Sequence, residues 1–582
     1  MNTKELIDCS NTLISERVEW DKVWAAIAKL VLPMQDRSFN KGTAKSDSRQ
    51  ATEGWAAGPT SVKDLAERFD VTGLVALDRL ATGIISLVTP DAEKWQGLGL
   101  TDEIGGKIEA NDEESRWLET QRDYLFSARY NPFTGWVTAN QAAMRSMCAF
   151  GTGLYLVEES YGARGRNDAV VPYRTSPLPL SENYLTVDGQ GLLDQDYRRF
   201  SLSARQVAQR WGDGCSAKTL ALANDPTKAH QQVEILHHVA YRQERGMNGD
   251  PMRDSAVSST YIEIAEAHVL RRGGFTYWPI VAYHWNQVAN SAYAESPVML
   301  VLSEIKTANI HGKNEILSSQ QFTRPPVGTT DDAKLAKPNL NPGAYNFGAL
   351  DANGRPKIAP LLTAQDPGLV QQVRAASQQQ IKEGLYTTLW QILINNPNMT
   401  ATEALIRSNE KGELLGPVGT KIQMGLAQFT DAELTIIEGK GAWQPGMRLE
   451  PPQSMAGKNL KPIFTSPLDR LRRSNELLGV KQTIELAGAL AQAGKTEVLD
   501  KIDAEAILDL SQEITGAPRK MFVNDDTLKA IRERRQQMQQ AQEMIETARA
   551  AGEAGNQALP ALDAANRMAQ GEPLDKRPGV AA

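Results

Sequence analysis

Ser296-Pro297-Val298-Met299-Leu300-Val301-Leu302-Ser303-Glu304-Ile305-Lys306 and, further on, Asp366-Pro367-Gly368-Leu369-Val370 open in the same way. A Ser or Asp side chain at the N-cap accepts a free backbone N–H, and a Pro in the first helical position has no N–H to leave unpaired. Each stretch therefore predicts a helix start. After the first, Val298, Val301, Leu302, Ile305, Ala308 and Ile316 recur at helical spacing and share one face. Lys306 and Lys313 lie on its flank, and Ser303, Thr307, His311, Asn314 and Ser318 lie opposite. In the second helix Leu369, Val370, Val373 and Ile381 are the apolar positions, while Arg374, Gln378 and Lys382 step by four along another side. Between the helices, Arg324 to Pro360 is rich in Pro, Gly and Asn, which excludes a through-running helix or central strand. Ala344-Tyr345-Asn346-Phe347 and Lys357-Ile358 are its candidate short strands. The reading is a helical hairpin carrying a separate tip, and an insert this long is usually functional or disordered.

The rest of the chain is ordinary in composition. A net charge of −7 over 582 residues excludes a whole-chain bias toward nucleic acid. No apolar run is long enough for a membrane span, and Leu74 to Val88 is interrupted by Asp78 and Arg79. Lys4, Glu5 and Asp8 argue against a signal peptide at the start. Cys9, Cys148 and Cys215 are too few and too scattered for a disulfide framework or a zinc site.

Along the chain, Asn11 to Val31 reads as one amphipathic helix ended by Pro33, and Ser61 to Thr89 as another helical block. Trp95 to Leu98 reads as a strand, and Glu114 to Tyr130 and Trp136 to Phe150 as helices. From Leu154 to His284 the pattern is mainly β: Leu154 to Glu158, Val170 to Tyr173, Tyr184 to Val187, Tyr197 to Leu202, Gln232 to Val239, Ser259 to Val269 and Trp278 to His284. Ser203 caps a short helix within that run. Helices return after Thr400-Ala401-Thr402-Glu403, a capping box, and run to about Glu438 with a break or kink at Gly416-Pro417. Further helices cover Pro467 onward, Asp503 to Thr515 and Asp526 to Ala551; the last carries a weak seam of Leu528, Ile531, Met538 and Ile545 suited to packing among neighbours. Residues 552–582 read as a mobile tail. The sum is an α+β chain.

Chemistry-bearing motifs are scarce. Gly42-Thr43-Ala44-Lys45-Ser46 lacks the spacing of a P-loop, and neither HExxH nor GxSxG occurs. His237 and His238 are adjacent on a strand and point to opposite faces, so they read as structural histidines. Asp331-Asp332 and Asp525-Asp526 read as loop and cap residues, and Gly151-Thr152-Gly153 as a turn before a strand. No catalytic residue, metal ligand or cofactor is assigned. A hydrolytic enzyme or nuclease would need clustered carboxylates or metal ligands.

Several stretches together carry a resemblance. They are Phe69-Asp70-Val71-Thr72-Gly73 with Leu80-Ala81-Thr82-Gly83 and Leu87-Val88-Thr89-Pro90; Gly151-Thr152-Gly153; Pro177 to Tyr184; and Asp194 to Gly212. Glu234 to His238, Ser296-Pro297 with Leu302 to Lys306, Arg324-Pro325-Pro326 and Met399 to Glu403 complete the set. In order and spacing these resemble the portal, or head-to-tail connector, proteins of short-tailed phages, over about residues 10 to 530; Tyr293-Ala294-Glu295-Ser296-Pro297 departs from the Gly-rich entry expected there. The resemblance implies a portal fold: a wing over 1–292, stem helices over 293–320 and 366–394, a small α/β clip over 321–365, a tunnel loop and long wing helix over 395–465, a helical crown over 466–551 and a tail over 552–582. It implies a homo-dodecameric ring at one capsid vertex of the virion, assembled in the host cytoplasm. Double-stranded DNA would pass through it, with the terminase large subunit, tail adaptor proteins, and major capsid and scaffolding proteins as partners and no membrane. Lys306, Lys313, Arg374 and Lys382 would line the channel, Asn395, Asn396, Pro397 and Asn398 would form the tunnel loop, and Arg324, Lys334, Lys337, Arg355 and Lys357 would serve the clip. The competing role is a tail or adaptor protein that conducts no DNA.

Overall fold

The computed structural model describes residues 2–35, 39, 68–102, 104–160, 171–242, 255–323, 327–329, 352–355, 358–360, 367–387, 401–447, 449–492, 501–515 and 525–552. The chain divides into two compact units. The larger comprises Met1–Leu98, Thr120–Glu450 and Lys461–Asn475; the smaller comprises Gly99–Glu119, Pro451–Leu460 and Glu476–Ala582.

The larger unit begins with α1 (Thr3–Glu16) and α2 (Val18–Val31), where one helix was expected. The break falls at Arg17, whose 3% exposed residue turns inward. Its guanidinium donates to the carbonyls of Leu180 (3.1 Å), Ser181 (3.1 Å) and Asn183 (2.6 Å) and lies 3.8 Å from the Tyr184 ring centroid. α3 (Thr72–Val88) follows, buried along Ala76, Leu77, Leu80, Ala81 and Ile84. After β1 (Gln96–Thr101), β2 (Lys107–Ile108) and α4 (Asp112–Arg129) comes α5 (Trp136–Phe150), which packs on β3 (Thr152–Glu159) and β4 (Tyr173–Leu178).

Between α5 and β3 the chain turns at Gly151, with φ of +90°. A Cβ on Gly151 would stand 1.8 Å from the Ala294 carbonyl oxygen, and one on Gly153 1.8 Å from that of Ala143. Backbone meets backbone at both glycines, so this motif is a packing joint between the first and later parts of the unit. Gly153→Ala is expected to lower stability by about 1–3 kcal/mol, because main-chain atoms cannot swing aside as a side chain can. Gly189→Ala, with open space around it, is the control, and denaturant midpoints compare the two.

A five-stranded antiparallel meander follows: β5 (Asn183–Val187), β6 (Leu193–Ser203), β7 (Gln232–Tyr241), β8 (Val257–Glu263) and β9 (His268–Phe275), hydrogen-bonded in that order. The single strand expected over Ser259 to Val269 is thus two, joined by a turn at 264–267. α6 (Ala204–Trp211) starts on a capping box between Ser203 and Gln206, and α7 (Ala217–Asn224) on Ser216. His237 and His238 do face opposite ways. His237 stacks on Tyr261 at 3.9 Å with Nε2 2.9 Å from Ser259 Oγ, while His238 sits against Tyr197. Burial pushes His237 well below the ordinary imidazole range and His238 to about 4, as expected of neutral core histidines. β10 (Ile280–His284) joins β3 and β4 in a second sheet of order β10-β3-β4, and β11 (Asn286–Gln287) pairs with β12 (Ala294–Glu295).

The hairpin helices come next: α8 (Pro297–Leu300), α9 (Leu302–Thr323), β13 (Val327–Thr329), β14 (Ile358–Pro360) and α10 (Pro367–Gly384). α11 (Ala401–Gly439) is one helix with Pro417 inside it, so the break-or-kink signal at Gly416-Pro417 does not divide it in two. Its Ile422, Leu426, Phe429, Ala432 and Ile436 enter the main core. Beside them lies a buried ionic knot. Arg129 and Glu433, both 0% exposed at the side chain, are joined by Arg129 Nη2 to Glu433 Oε2 at 2.5 Å. Arg129 Nη1 donates to Gln96 Oε1 (2.7 Å), Nη2 also to Thr430 Oγ1 (3.1 Å), and the Tyr173 hydroxyl donates to Glu433 Oε1.

In the smaller unit, Leu100 and Thr101 pair with Ile108 and Lys107. Asn111 and Glu114 cap each other where α4 starts, and Glu114 is held below the usual carboxylate range: burial opposes this, but the Lys458 ammonium at 2.5 Å outweighs it. β15 (Asn459–Phe464), α12 (Pro467–Gln492), α13 (Ala504–Thr515) and α14 (Asp525–Gly552) complete the chain. The seam expected on α14 is open: Ile531 is 41% and Met538 45% exposed, and Ala541 is buried.

Candidate functional site: the helical hairpin

The Ser296-Pro297 signal works as the chemistry requires. Ser296 Oγ accepts from the Met299 N–H at 3.1 Å and donates to the Ala149 carbonyl at 2.9 Å, so the cap also fastens the hairpin's root to α5. Helix α8 gives way to α9 at Val301, where φ is −103° and ψ 12°. The helices α9 and α10 pack antiparallel. Val301, at the start of α9, lies against Gly384 at the end of α10, where a Cβ would come within 2.3 Å of its side chain. At the other end, Glu315 of α9 meets Gln371 and Arg374 of α10.

Burial follows distance from the root. Val298, Val301, Ile305, Ala308, Ile381 and Leu385 are buried, but Ile316 is 46% and Val373 41% exposed. Both were read from the sequence as members of the helices' apolar rows. Past Gly312 the apolar row of α9 is no longer covered among the described residues, so helical spacing alone overstates what is buried.

The four basic residues do not share one environment. Lys306 and Lys313 are exposed on α9, and Lys382 is half-buried on α10. Arg374 is committed within the chain. Its Nε donates to Asp70 Oδ2 (3.1 Å), Nη1 to Glu315 Oε2 (2.5 Å) and Nη2 to the Phe69 carbonyl (3.1 Å). Burial costs this guanidinium some basicity, yet the two carboxylates hold its pKa above the ordinary value. The i, i+4 row read from the sequence is real at Arg374 and Gln378, for Gln378 Nε2 also reaches Asp70 Oδ2, at 2.6 Å. What sequence reasoning missed was the partner. Asp70 sits in the Phe69-Asp70-Val71-Thr72-Gly73 motif, whose position beside a hairpin several hundred residues on has no local signal.

The insert's ends are tied together. β13 and β14 pair antiparallel, Val327 with Pro360 and Thr329 with Ile358, so the chain returns to where it left. Arg355 is exposed. Arg324, Lys334, Lys337 and Lys357 of the tip, Asn395 to Asn398, Ala344 to Phe347, the Asp366 cap and the Thr400 cap lie outside the described residues. Among the described residues no group of three or more His, Cys, Asp or Glu side chains could hold a metal ion, and no helix is long and apolar enough to cross a membrane.

Comparisons with known proteins give the family. A portal protein of Salmonella phage epsilon15 is 25% identical over 537 residues, 90% of this chain and 89% of that one. A probable portal protein of Bordetella phage BPP-1 is 26% identical over 540 residues, 91% of each chain. Among solved structures, the neck of a native GTA particle covers 72% of this chain and 88% of its own at 12% identity and a TM-score of 0.32, a fit too loose to assign any element. The family model for bacteriophage head to tail connecting protein matches residues 3–523, which take in both units and the whole hairpin, and the chain belongs to that family.

Proposed function

We propose that this chain is the subunit of a ring-shaped portal. In this reading many copies set their hairpins side by side around a bore through which duplex DNA enters the capsid and later leaves. The observation that carries it is the capped antiparallel hairpin lying inside a family match over residues 3–523. The role is structural. The ring guides and retains DNA, a terminase docks on the insert between β13 and β14 during packaging and supplies the work of ATP hydrolysis, and tail adaptors take its place afterwards. The Asn395 to Asn398 turn reaches toward the DNA, and Arg324, Lys334, Lys337, Arg355 and Lys357 serve the docking surface.

The hairpin's chemistry suits a duplex that must slide. Over α8 to α10 the side chains include Lys306, Lys313, Arg374 and Lys382 against Glu304, Glu315 and Glu383, with many Gln, Asn and Ser between. A nearly neutral polar lining offers phosphates weak contacts without sequence preference. Lys306, Lys313 and Lys382 supply such contacts, repeated by symmetry into circles of charge. Arg374, bound to its own chain, supplies geometry instead.

Electron microscopy of the purified protein tests the assembly, since a closed ring with a bore wide enough for duplex is expected and a monomer or a solid assembly would end the proposal. Lys306→Ala with Lys313→Ala tests the lining. Both side chains are exposed, so stability is expected to shift by no more than about 0.5 kcal/mol each, while genome packaging or retention changes and depends less on salt. Unchanged packaging at every salt concentration would place these lysines away from DNA.

A further inference from the structure

We propose that Asp70 is a latch that sets the angle of the hairpin, acting with Arg374 across a hinge at the hairpin's root. The segment 68–71 runs directly against α9. A Cβ on Gly312 would lie 2.8 Å from the Phe69 carbonyl oxygen, so only a glycine lets the strap come this close. Asn309 Oδ1 on α9 accepts from the Phe69 N–H (2.7 Å) and the Asp70 N–H (3.3 Å). From α10, Arg374 and Gln378 close on Asp70 Oδ2, and Arg374 reaches back to Glu315 of α9. The remaining Asp70 oxygen, Oδ1, accepts from the Thr72 N–H at 2.8 Å, at the first turn of α3. One carboxylate, with a side chain 4% exposed, therefore binds the core helix α3 and the α10 arm directly, while the α9 arm is held through the backbone of residues 69 and 70 and through Arg374.

The latch grips the hairpin well beyond its root. Below it, Val301 breaks α8 from α9, and Tyr386 just after α10 takes a φ of +54°, a conformation that L side chains adopt with strain. These two irregular residues form a pivot, and the charge-assisted bonds to Asp70 stop the pivot from turning. Asp70 and Arg374 are thus positioning residues. The latch stands on this geometry alone, while its consequence for DNA rests on the channel reading above.

The test uses the full chain with Asp70→Asn, Arg374→Met and the double variant, followed by hydrogen exchange. Each single variant is expected to speed exchange over α9 and α10 about ten- to hundredfold. Exchange in α5 and β3 stays unchanged, and the double variant is no faster than the worse single one. Arg374→Lys, which keeps the charge and loses the fork, is expected to restore only part of the protection. Gln378→Ala, removing one bond to Asp70, covers the case in which a charge variant does not fold, and is expected to give a smaller change in the same helices. Unchanged exchange in the hairpin, a rise spread evenly over the chain, or additive effects would overturn the latch. Faster hairpin exchange with normal genome packaging supports the latch and overturns the assignment of the hairpin to the channel wall.

Discussion

Glu433→Ala is expected to lower the unfolding free energy by about 3–5 kcal/mol, the cost of leaving a buried cation without its counter-charge. Arg129 has nowhere to go. It is fully enclosed, with the Trp95, Phe126 and Phe429 rings 5.0, 5.5 and 5.2 Å from its guanidinium carbon. Glu433 holds the guanidinium charged despite burial, and Arg129 in turn opposes the upward push that burial gives the Glu433 carboxyl. The knot also joins α4 to α11 through Gln96 and Thr430, so several hydrogen bonds fail together. A double change to Arg129→Met and Glu433→Leu is expected to recover much of the loss, since paired apolar groups of similar volume avoid the desolvation problem altogether. Denaturant unfolding at one fixed protein concentration measures both, because assembly shifts apparent stability. A loss below about 1 kcal/mol in the single variant would mean that water or a neighbouring group reaches Arg129.

Asp196 is expected to make stability fall as pH rises. Its carboxyl is 0% exposed on β6, and neither oxygen has a hydrogen-bond partner among the described residues. Burial pushes it up to about 8, with Glu182 adding to the rise and Arg198 and Arg17 opposing it. In the unfolded chain an aspartate titrates near about 3.9. Below that value both states hold the proton and no penalty exists. Between there and about 8 the unfolded state releases the proton while the folded state keeps it, so this group's contribution declines by about 1.4 kcal/mol per pH unit and then levels off. Asp70, Asp123 and Glu315, all held below the usual carboxylate range, act in the opposite sense and at more acidic pH. Asp196→Asn is therefore expected to raise the thermal midpoint at pH 8 and to leave it nearly unchanged at pH 4. Parallel profiles for the two proteins would show that Asp196 is solvated or paired.

Much of the hairpin was legible because its signals are local. A Ser-Pro start and an apolar row depend only on neighbours in sequence, and Ser296 and the α9 root follow them. The capping box at Ser203 was legible for the same reason. Misreadings arose where distant residues decide. Arg17 interrupts an amphipathic pattern that looks continuous, because three carbonyls some 160 residues away draw it inward. The turn at 264–267 splits what reads as one β run because β9 folds back on β8. Arg374 was legible as a charge on a helix row, but not as a residue already engaged, because Asp70 lies 304 positions earlier. Ile316 and Val373 carry core-type residues without a core around them in a single chain.

The pairing of β13 with β14 has an evolutionary consequence. Entry and exit of the insert are fixed side by side by three register pairs, Val327 with Pro360, Gly328 with Ala359 and Thr329 with Ile358. With the two ends held together, lengthening the insert between them costs only about 0.6 kcal/mol per doubling. An insert closed off in this way can change in length and sequence from one lineage to another while the helices on either side keep theirs.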